Sequence, residues 1–193
     1  MEAAAIHERL AGKFGEGIAS FEGAALQPWA LVSADAIDAV AAFCKSDPEL
    51  SFDNLMCLSA ADYPKAEPPC FEVVYHLWSY RQRHQFVLKV RVPRDNARVP
   101  TVEGTWAVAN WHEREAYDMF GVVFEGHSDL RRILLPDDWE GYPLRKDWVD
   151  PEFYNGMHVK PTAQMAERAM AGEQLGVGPF AETPPNRHVP DAS

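Results

Sequence analysis

Residues 71–92 carry the pattern that most restricts how this chain can fold. Apolar and polar side chains alternate along FEVVYHLW at 71–78 and again along FVLKVRV at 86–92, after the polar turn RQRH at 81–84. Side chains of a strand point alternately to the two faces of a sheet, so each segment offers one apolar face. The two segments predict an antiparallel hairpin. Its apolar face needs a covering layer.

Two helices are predicted before the hairpin. The first spans about residues 6–14, with apolar side chains four residues apart, and ends at Gly15. The second follows Ser33, its expected N-cap, has apolar positions at 37, 40, 41 and 44, and ends before Pro48. Short apolar runs predict further strands at 29–32 and 55–58.

A third helix is predicted to begin at Thr101 or Gly104 and to end near Met119 and Gly121. Its apolar stripe is expected to cover the inner face of the hairpin. The stripe consists of Trp106, Asn110 and Tyr117, with Ala109, Ala116 and Phe120 beside them. The charged residues Glu113, Arg114, Glu115 and Asp118 are expected to point elsewhere.

These elements predict an α+β fold, a mostly antiparallel sheet of about four strands covered by helices, with an irregular extended C-terminal segment. We expect residues 1–120 to form the α+β domain. Residues 121–150, called the strap from here on, are expected to form an irregular partner-binding segment. Residues 151–193 hold six of the fifteen prolines and form a tail with one candidate helix from Gln164 to Leu175.

Charge and hydropathy exclude several classes of partner. With 29 acidic and 18 basic side chains, the net charge of −11 opposes binding to nucleic acid and to anionic lipid headgroups. No apolar run approaches the roughly 18 residues that a membrane-spanning helix needs. The first residues also lack the pattern of a secretory signal. We therefore expect a cytoplasmic chain whose contact with a membrane comes through partners.

The three cysteines lie thirteen residues apart, at 44, 57 and 70, and form no CxxC pair. Structural zinc and iron–sulfur clusters use closely spaced ligand pairs. The cysteines are therefore expected to be small buried hydrophobes in a reducing compartment.

The stretch from Glu113 to Trp148 combines charge, aromatic residues and Gly/Pro punctuation. One interpretation is a solvated helix face, in which Arg114 and Asp118 form an i,i+4 pair. That interpretation leaves the apolar residues at 120–124 and 133–135 unexplained, because monomers rarely expose such patches. Interfaces favour this mixture of Trp, Tyr, Phe, Met and Arg. The composition therefore indicates a surface that binds another protein.

A freestanding metalloenzyme is the alternative of a different class, with Glu113, Glu115, Asp118 and His127 as its candidate ligands. The spacing argues against it. A zincin helix needs a second His four residues after His112, where Ala116 stands, and a di-iron motif needs His where Asp118 stands.

Roles within the interface follow from residue type. Planar guanidinium groups form two parallel bonds with carboxylates, either on a partner or on Glu113, Glu115 and Asp118. His127 is expected to donate to a backbone carbonyl, and bulky aromatic side chains are expected to be anchors. The arginines are Arg131, Arg132 and Arg145, and the anchors are Trp139, Tyr142 and Trp148.

The same stretch resembles the signature of the 30-kilodalton subunit of respiratory complex I, the NADH-quinone oxidoreductase. The resemblance lies in ERE at 113–115, DMF at 118–120, His127, Arg131 and Ile133, and DDWEGYPLRKD at 137–147. It continues more loosely through residues 30–112.

The resemblance implies a peripheral-arm subunit that packs against the 49-kilodalton subunit and binds no cofactor itself. FMN, iron–sulfur clusters and quinone belong to partner subunits of this proton-translocating enzyme. The implied location is the cytoplasmic side of the cell inner membrane. Similar subunits in membrane-bound hydrogenases and formate hydrogenlyases leave the particular complex open.

Overall fold

A computed structural model describes residues 1–159 of the chain. Residues Met1–Trp148 form one compact unit, and a second unit begins at Val149. The first unit contains a five-stranded sheet with the order β1-β2-β5-β4-β3. Its strands are β1 Ile18–Glu22, β2 Trp29–Val32, β3 Asn54–Tyr63, β4 Cys70–Ser79 and β5 His84–Pro93. Only β2 and β5 run parallel among these neighbours, so the predicted α+β class with a mostly antiparallel sheet is confirmed.

The predicted hairpin is formed by β4 and β5. Tyr75 pairs with Leu88 in an antiparallel register, and the alternating residues of both strands are buried on one face. The unit also contains three α-helices, α1 Ala3–Phe14, α2 Ile37–Ser46 and α3 Ala109–Phe120. Ile6 of α1 and Val40 of α2 lie in the same apolar core as Tyr75. The opposite face of β4 and β5 carries half-buried and exposed side chains.

Two predicted details of the first half are wrong. The side chain of Ser33 makes no capping bond; its carbonyl accepts the N–H of Ala36 (3.1 Å) in a short 3-10 turn that precedes α2. Of the cysteines only Cys44 is buried, whereas Cys57 and Cys70 are partly accessible. Both residues lie in strands of the sheet. Helices cover only one face of that sheet tightly, so side chains on the other face stay partly accessible.

The predicted end of α3 is confirmed and its predicted start is wrong. Residues 101–108 form turns because tertiary bonds hold them: the N–H of Thr101 donates to the carbonyl of Glu125 (2.9 Å), and the indole of Trp106 donates to that of Phe52 (2.9 Å). At the other end, Gly121 adopts φ 77° and donates its N–H to Tyr117. This left-handed C-cap is a position that favours glycine.

The prediction that the charged residues of α3 point away from the interior is wrong for Glu113, Arg114 and Asp118. All three are buried, and Glu115 alone of the four is exposed. The chain on either side of α3 covers its outer face. Strand β6 (Arg98–Pro100) pairs in parallel with β7 (Val123–Glu125) beside the helix.

The second unit is described as far as residue 159. Its strands β8 (Phe153–Tyr154) and β9 (Met157–His158) form a small antiparallel hairpin. The turn residues Asn155 (φ 48°) and Gly156 (φ 78°) both have positive φ, as a tight hairpin turn requires. The sequence predicted an extended arm or a disordered tail here. The candidate helix from Gln164 to Leu175 lies outside the described residues.

No helix within residues 1–159 is both long and apolar enough to cross a membrane.

The backbone at Gly121 gives a test of the fold. A Cβ on Gly121 would lie 2.6 Å from Arg145 and from the ring of Tyr142, at a positive φ. We expect Gly121→Ala to lower the free energy of unfolding by more than about 1 kcal/mol in urea titrations. Gly104→Ala is the matched control, because its Cβ would meet nothing within 4 Å. Equal stability of the two variants would contradict the role assigned to this cap.

Candidate functional site

The buried carboxylate of Asp118 holds the first part of the strap. Its Oδ2 accepts three consecutive backbone N–H groups, from Ile133 (3.0 Å), Leu134 (2.7 Å) and Leu135 (3.0 Å). Its Oδ1 accepts a bond from Arg132 (2.8 Å). Burial alone would raise the pKa of Asp118, but the three N–H groups and Arg132 outweigh it and hold the pKa below its ordinary value. Asp118 is therefore charged in the folded chain at neutral pH.

Arg132 links the two halves of the strap. Its guanidinium binds Asp118 through Nη1 and donates through Nη2 to the carbonyl of Gly141 (3.1 Å). The same group lies over the ring of Tyr142, 5.5 Å from its centroid. One planar guanidinium group thus links α3 to Gly141 and Tyr142, which follow Arg132 by nine and ten residues.

Arg145 returns the strap to the end of α3. Its Nε donates to the carbonyl of Phe120 (2.7 Å), and the N–H of Leu144 donates to that of Met119 (3.2 Å). The last carbonyls of a helix have no partner within the helix, so the strap satisfies groups that would otherwise need water. The guanidinium of Arg145 also stacks over Phe71 and Tyr142, with centroid distances of 5.1 and 4.4 Å.

A second buried carboxylate, which sequence reasoning missed, holds the last part of the strap. Asp62 of β3 forms two parallel bonds with Arg94 (2.9 and 3.1 Å) and accepts the backbone N–H of Lys146 (2.8 Å). Arg94 also pairs with Asp147. The available signal was an acidic residue near the end of a mostly apolar strand. Its partners are 32 and 84 residues away, so no local pattern reveals them.

A third buried carboxylate, that of Glu113, lies in the first half of α3. Glu113 accepts the N–H of Val102 (2.8 Å) and the hydroxyl of Thr101. The Nε2 of His127 is 3.9 Å from Glu113 and 3.6 Å from Glu103. Burial raises the pKa of Glu113 to about 7, although its two hydrogen bonds oppose that rise.

His127 fulfils its predicted role. Its side chain is buried, its Nε2 lies 3.2 Å from the carbonyl of Asn110, and its Nδ1 accepts the N–H of Asp129 (3.0 Å). Since Nδ1 is an acceptor, these bonds assign the proton to Nε2, which donates to the carbonyl. The histidine thus connects the turn after β7 to the first turn of α3.

The remaining candidate residues have different environments. Arg114 is buried and donates to the carbonyl of Arg131 (3.2 Å), while Arg131 itself is exposed and pairs with Asp129. The Phe120 ring meets Phe71 edge to face. Trp139 lies beside Trp148, with centroids 6.3 Å apart. Of the three arginines, Arg132 alone binds one of the carboxylates named for it, Asp118.

The four candidate metal ligands do not converge. Glu115 is exposed, and Asp118 is already bound by four donors. Among the residues that the structure describes, no three His, Cys, Asp or Glu side chains lie together as a metal site would require. The arrangement instead braces an irregular segment from inside and leaves apolar side chains outside it. Leu134 and Leu144 of the strap are exposed, and so is Trp111 of α3.

Two solved structures are similar to this chain. The trypsin-resistant fragment of Nqo5 is 32% identical with a TM-score of 0.57, and the match covers 67% of this chain and 100% of the fragment. A chain of the membrane-bound sulfane sulfur reductase, an archaeal respiratory membrane complex, is 29% identical with a TM-score of 0.63, covering 76% and 85%. This chain thus shares its fold with a component of a membrane-bound respiratory complex.

Comparison with related sequences identifies the family to which this chain belongs. The family described as the 30 kDa subunit of respiratory-chain NADH dehydrogenase matches residues 30–154. An NADH-quinone oxidoreductase subunit of Chlorobium phaeobacteroides is 42% identical over 82% of this chain and 95% of its own length. The corresponding subunit of Chloroherpeton thalassium is 44% identical over 76% of this chain and 61% of its own. This chain belongs to that 30 kDa subunit family, as the signature at 113–147 led us to expect.

Removing the Asp118 carboxylate tests the internal bracing. Asp118→Ala would leave three strap N–H groups and Arg132 without their acceptor, so we expect it to lower the free energy of unfolding by about 3 kcal/mol or more. Trypsin should then cleave at Arg131 and Arg145 much faster. Urea titration and timed proteolysis measure the two effects. Asp129→Ala, on an exposed residue, is the control, and equal proteolysis of both variants would contradict the bracing.

Glu113 predicts a specific dependence of stability on pH. Its pKa is about 7 in the fold and 4.5 ordinarily, so the folded state binds this proton more tightly. The stabilisation that this proton gives to the folded state is complete below pH 4.5 and is lost as the pH rises through 7. The free energy of unfolding falls by up to about 3 kcal/mol over this range. We expect Glu113→Gln to remove this slope between pH 5 and 8 in unfolding titrations. Glu115→Gln, an exposed neighbour, should keep it; a slope unchanged in Glu113→Gln would contradict the assignment.

Proposed function

We propose that this chain is a non-redox peripheral-arm subunit of a proton-translocating NADH:quinone oxidoreductase, and that the strap fixes it to a neighbouring subunit. In this role its residues hold other subunits in position. Electrons from NADH pass through FMN and iron–sulfur clusters of those subunits to quinone. The similarity to NADH-quinone oxidoreductase subunits supports the choice of complex.

The observation that carries the proposal is an exposed apolar surface on a segment that is held rigidly from inside. The N–H of Leu134 is bound by Asp118, yet its side chain is 60% exposed; Leu144 is 50% exposed although its N–H is bound by Met119. A flexible loop would lose conformational entropy when a partner ordered it. A segment that is already ordered avoids that loss, so more of its contact energy appears as affinity.

The strap also offers the chemistry of a binding surface. Arg131, 67% exposed, lies close in sequence to Leu134 and adds a guanidinium that can bind a partner carboxylate. Asp137 and Glu140 are exposed on the same segment. Arginine is enriched among the residues that dominate binding energy, and surrounding contacts that exclude water support such residues. The proposed partner is the 49-kilodalton subunit of the complex, on the cytoplasmic side of the cell inner membrane.

A second candidate is the equivalent scaffold subunit of a related membrane-bound complex with another electron donor, such as a hydrogenase or formate hydrogenlyase. The similarity to a chain of the archaeal sulfane sulfur reductase favours this candidate. The relatives at 42–55% identity favour the NADH-linked complex, since each of them is named as a subunit of NADH-quinone oxidoreductase. Whether NADH drives quinone reduction by the complex that co-purifies with this chain separates the two candidates.

Substitutions on the outer side of the strap test the proposal. We expect Leu134→Ser and Arg131→Ala to weaken assembly by about 2 kcal/mol or more, roughly 30-fold in affinity, because each removes an interface anchor. The measurement is the yield of neighbouring subunits and of NADH:quinone activity that co-purify with a tagged chain from its host. The stability of the isolated variants should change little.

The chain offers matched controls for both substitutions. Leu26 is fully exposed between β1 and β2, and Arg81 is exposed in the hairpin turn. Leu26→Ser and Arg81→Ala remove the same side chains far from the strap in sequence. Full assembly of both strap variants, or an equal loss in the controls, would refute the strap as the anchor.

A further inference from the structure

The outer face of the sheet carries a group of side chains that the proposed assembly role does not use. Strands β3, β4 and β5 turn one face to the helices, and their opposite face is only partly covered. On that face lies a concavity of about 270 Å³. Its lining includes Met56, Cys57 and His76, which bring a thioether, a thiol and an imidazole to one place.

A β-bulge puts the two sulfur-bearing residues side by side. Leu55 pairs with Leu77 and Cys57 pairs with His76, so the register shifts by one residue at Met56. Leu55 and Leu58 are both buried in the core. The two residues between them therefore both lie on the outer side, where regular alternation would have turned one of them inward. Met56 is 55% exposed and Cys57 is partly accessible.

His76 stands directly opposite Cys57 on β4. Residues that pair across antiparallel strands have Cβ atoms about 4.5–5.5 Å apart, which lets a thiol and an imidazole reach one small ion between them. Neither ring nitrogen of His76 has a hydrogen-bond partner among the residues that the structure describes. By contrast, His84 and His127 each bind backbone carbonyls. Of these three, His76 keeps both nitrogens available.

The geometry points to a site for a soft monovalent metal ion, Cu(I), held by the thiolate of Cys57, an imidazole nitrogen of His76 and the thioether of Met56. Thiolate and thioether donors select Cu(I) over harder ions. Zinc prefers four donors from Cys, His, Asp and Glu, and no three of these side chains cluster within residues 1–159. Binding replaces the S–H bond of Cys57 by an S–Cu bond and releases the proton to solvent, with no change of oxidation state.

Competition for Cu(I) tests this site on the purified 193-residue chain. The titration uses bicinchoninate as the coloured Cu(I) chelator under anaerobic, reducing conditions. We expect the chain to withdraw one equivalent of Cu(I) from the chelator. Cys57→Ser and His76→Gln should abolish that uptake, and Met56→Leu should weaken it. X-ray absorption of the loaded chain should show sulfur and nitrogen ligands together.

Cys70→Ser is the matched control, because Cys70 is also partly accessible but pairs with Tyr63 and Pro93, whose side chains offer no sulfur or nitrogen donor for Cu(I). It should bind Cu(I) as the unchanged chain does. Circular dichroism of each variant establishes that its fold is retained. No uptake by the unchanged chain, full uptake by folded Cys57→Ser or His76→Gln, or loss of uptake in Cys70→Ser would overturn the site.

Discussion

The carboxylate of Asp118 is the interaction on which the strap depends. A buried charge is costly unless donors surround it, and here three successive N–H groups and one guanidinium do so. Three N–H groups that converge on one oxygen fix the backbone of residues 133–135 in a single turn. Arg132 then carries this order on to Gly141. The strap has little regular secondary structure, but these hydrogen bonds hold its backbone to α3.

The end of α3 and the strap provide hydrogen-bond partners for each other. Gly121 turns the chain sharply through a left-handed conformation, and the strap later returns to bind the carbonyls of Met119 and Phe120. The carbonyls at the end of the helix thereby gain donors, and the strap gains fixed attachment points. Asp62 repeats the arrangement from the sheet, since it binds Arg94 and the N–H of Lys146. Helix, sheet and strap are thus joined by buried carboxylates rather than by a shared apolar core alone.

The sequence predicted what depends on local periodicity and missed what depends on distant partners. The hairpin follows from alternation, and the end of α3 from Gly121. The burial of Glu113 was also predictable, because residues 109, 113, 116 and 120 follow helical spacing and so share one face. The burial of Asp118 was not, because it lies opposite that face and its partners, Arg132 and three backbone N–H groups, are 14–17 residues away. Every residue except proline has a backbone N–H, so the sequence does not show which N–H groups bind a buried carboxylate.

The same bonds explain why apolar side chains remain outside. Leu134 donates its N–H inward to Asp118, and its side chain is left 60% exposed. The side chain of Leu134 is therefore exposed because its backbone is bound to the buried Asp118, and not because the loop is loose. A partner that covers Leu134 buries apolar area while the bonds to Asp118 stay intact. Substitution of the carboxylate disturbs both fold and surface, whereas substitution of the leucine disturbs the surface alone, so stability and assembly can be separated by experiment in this chain.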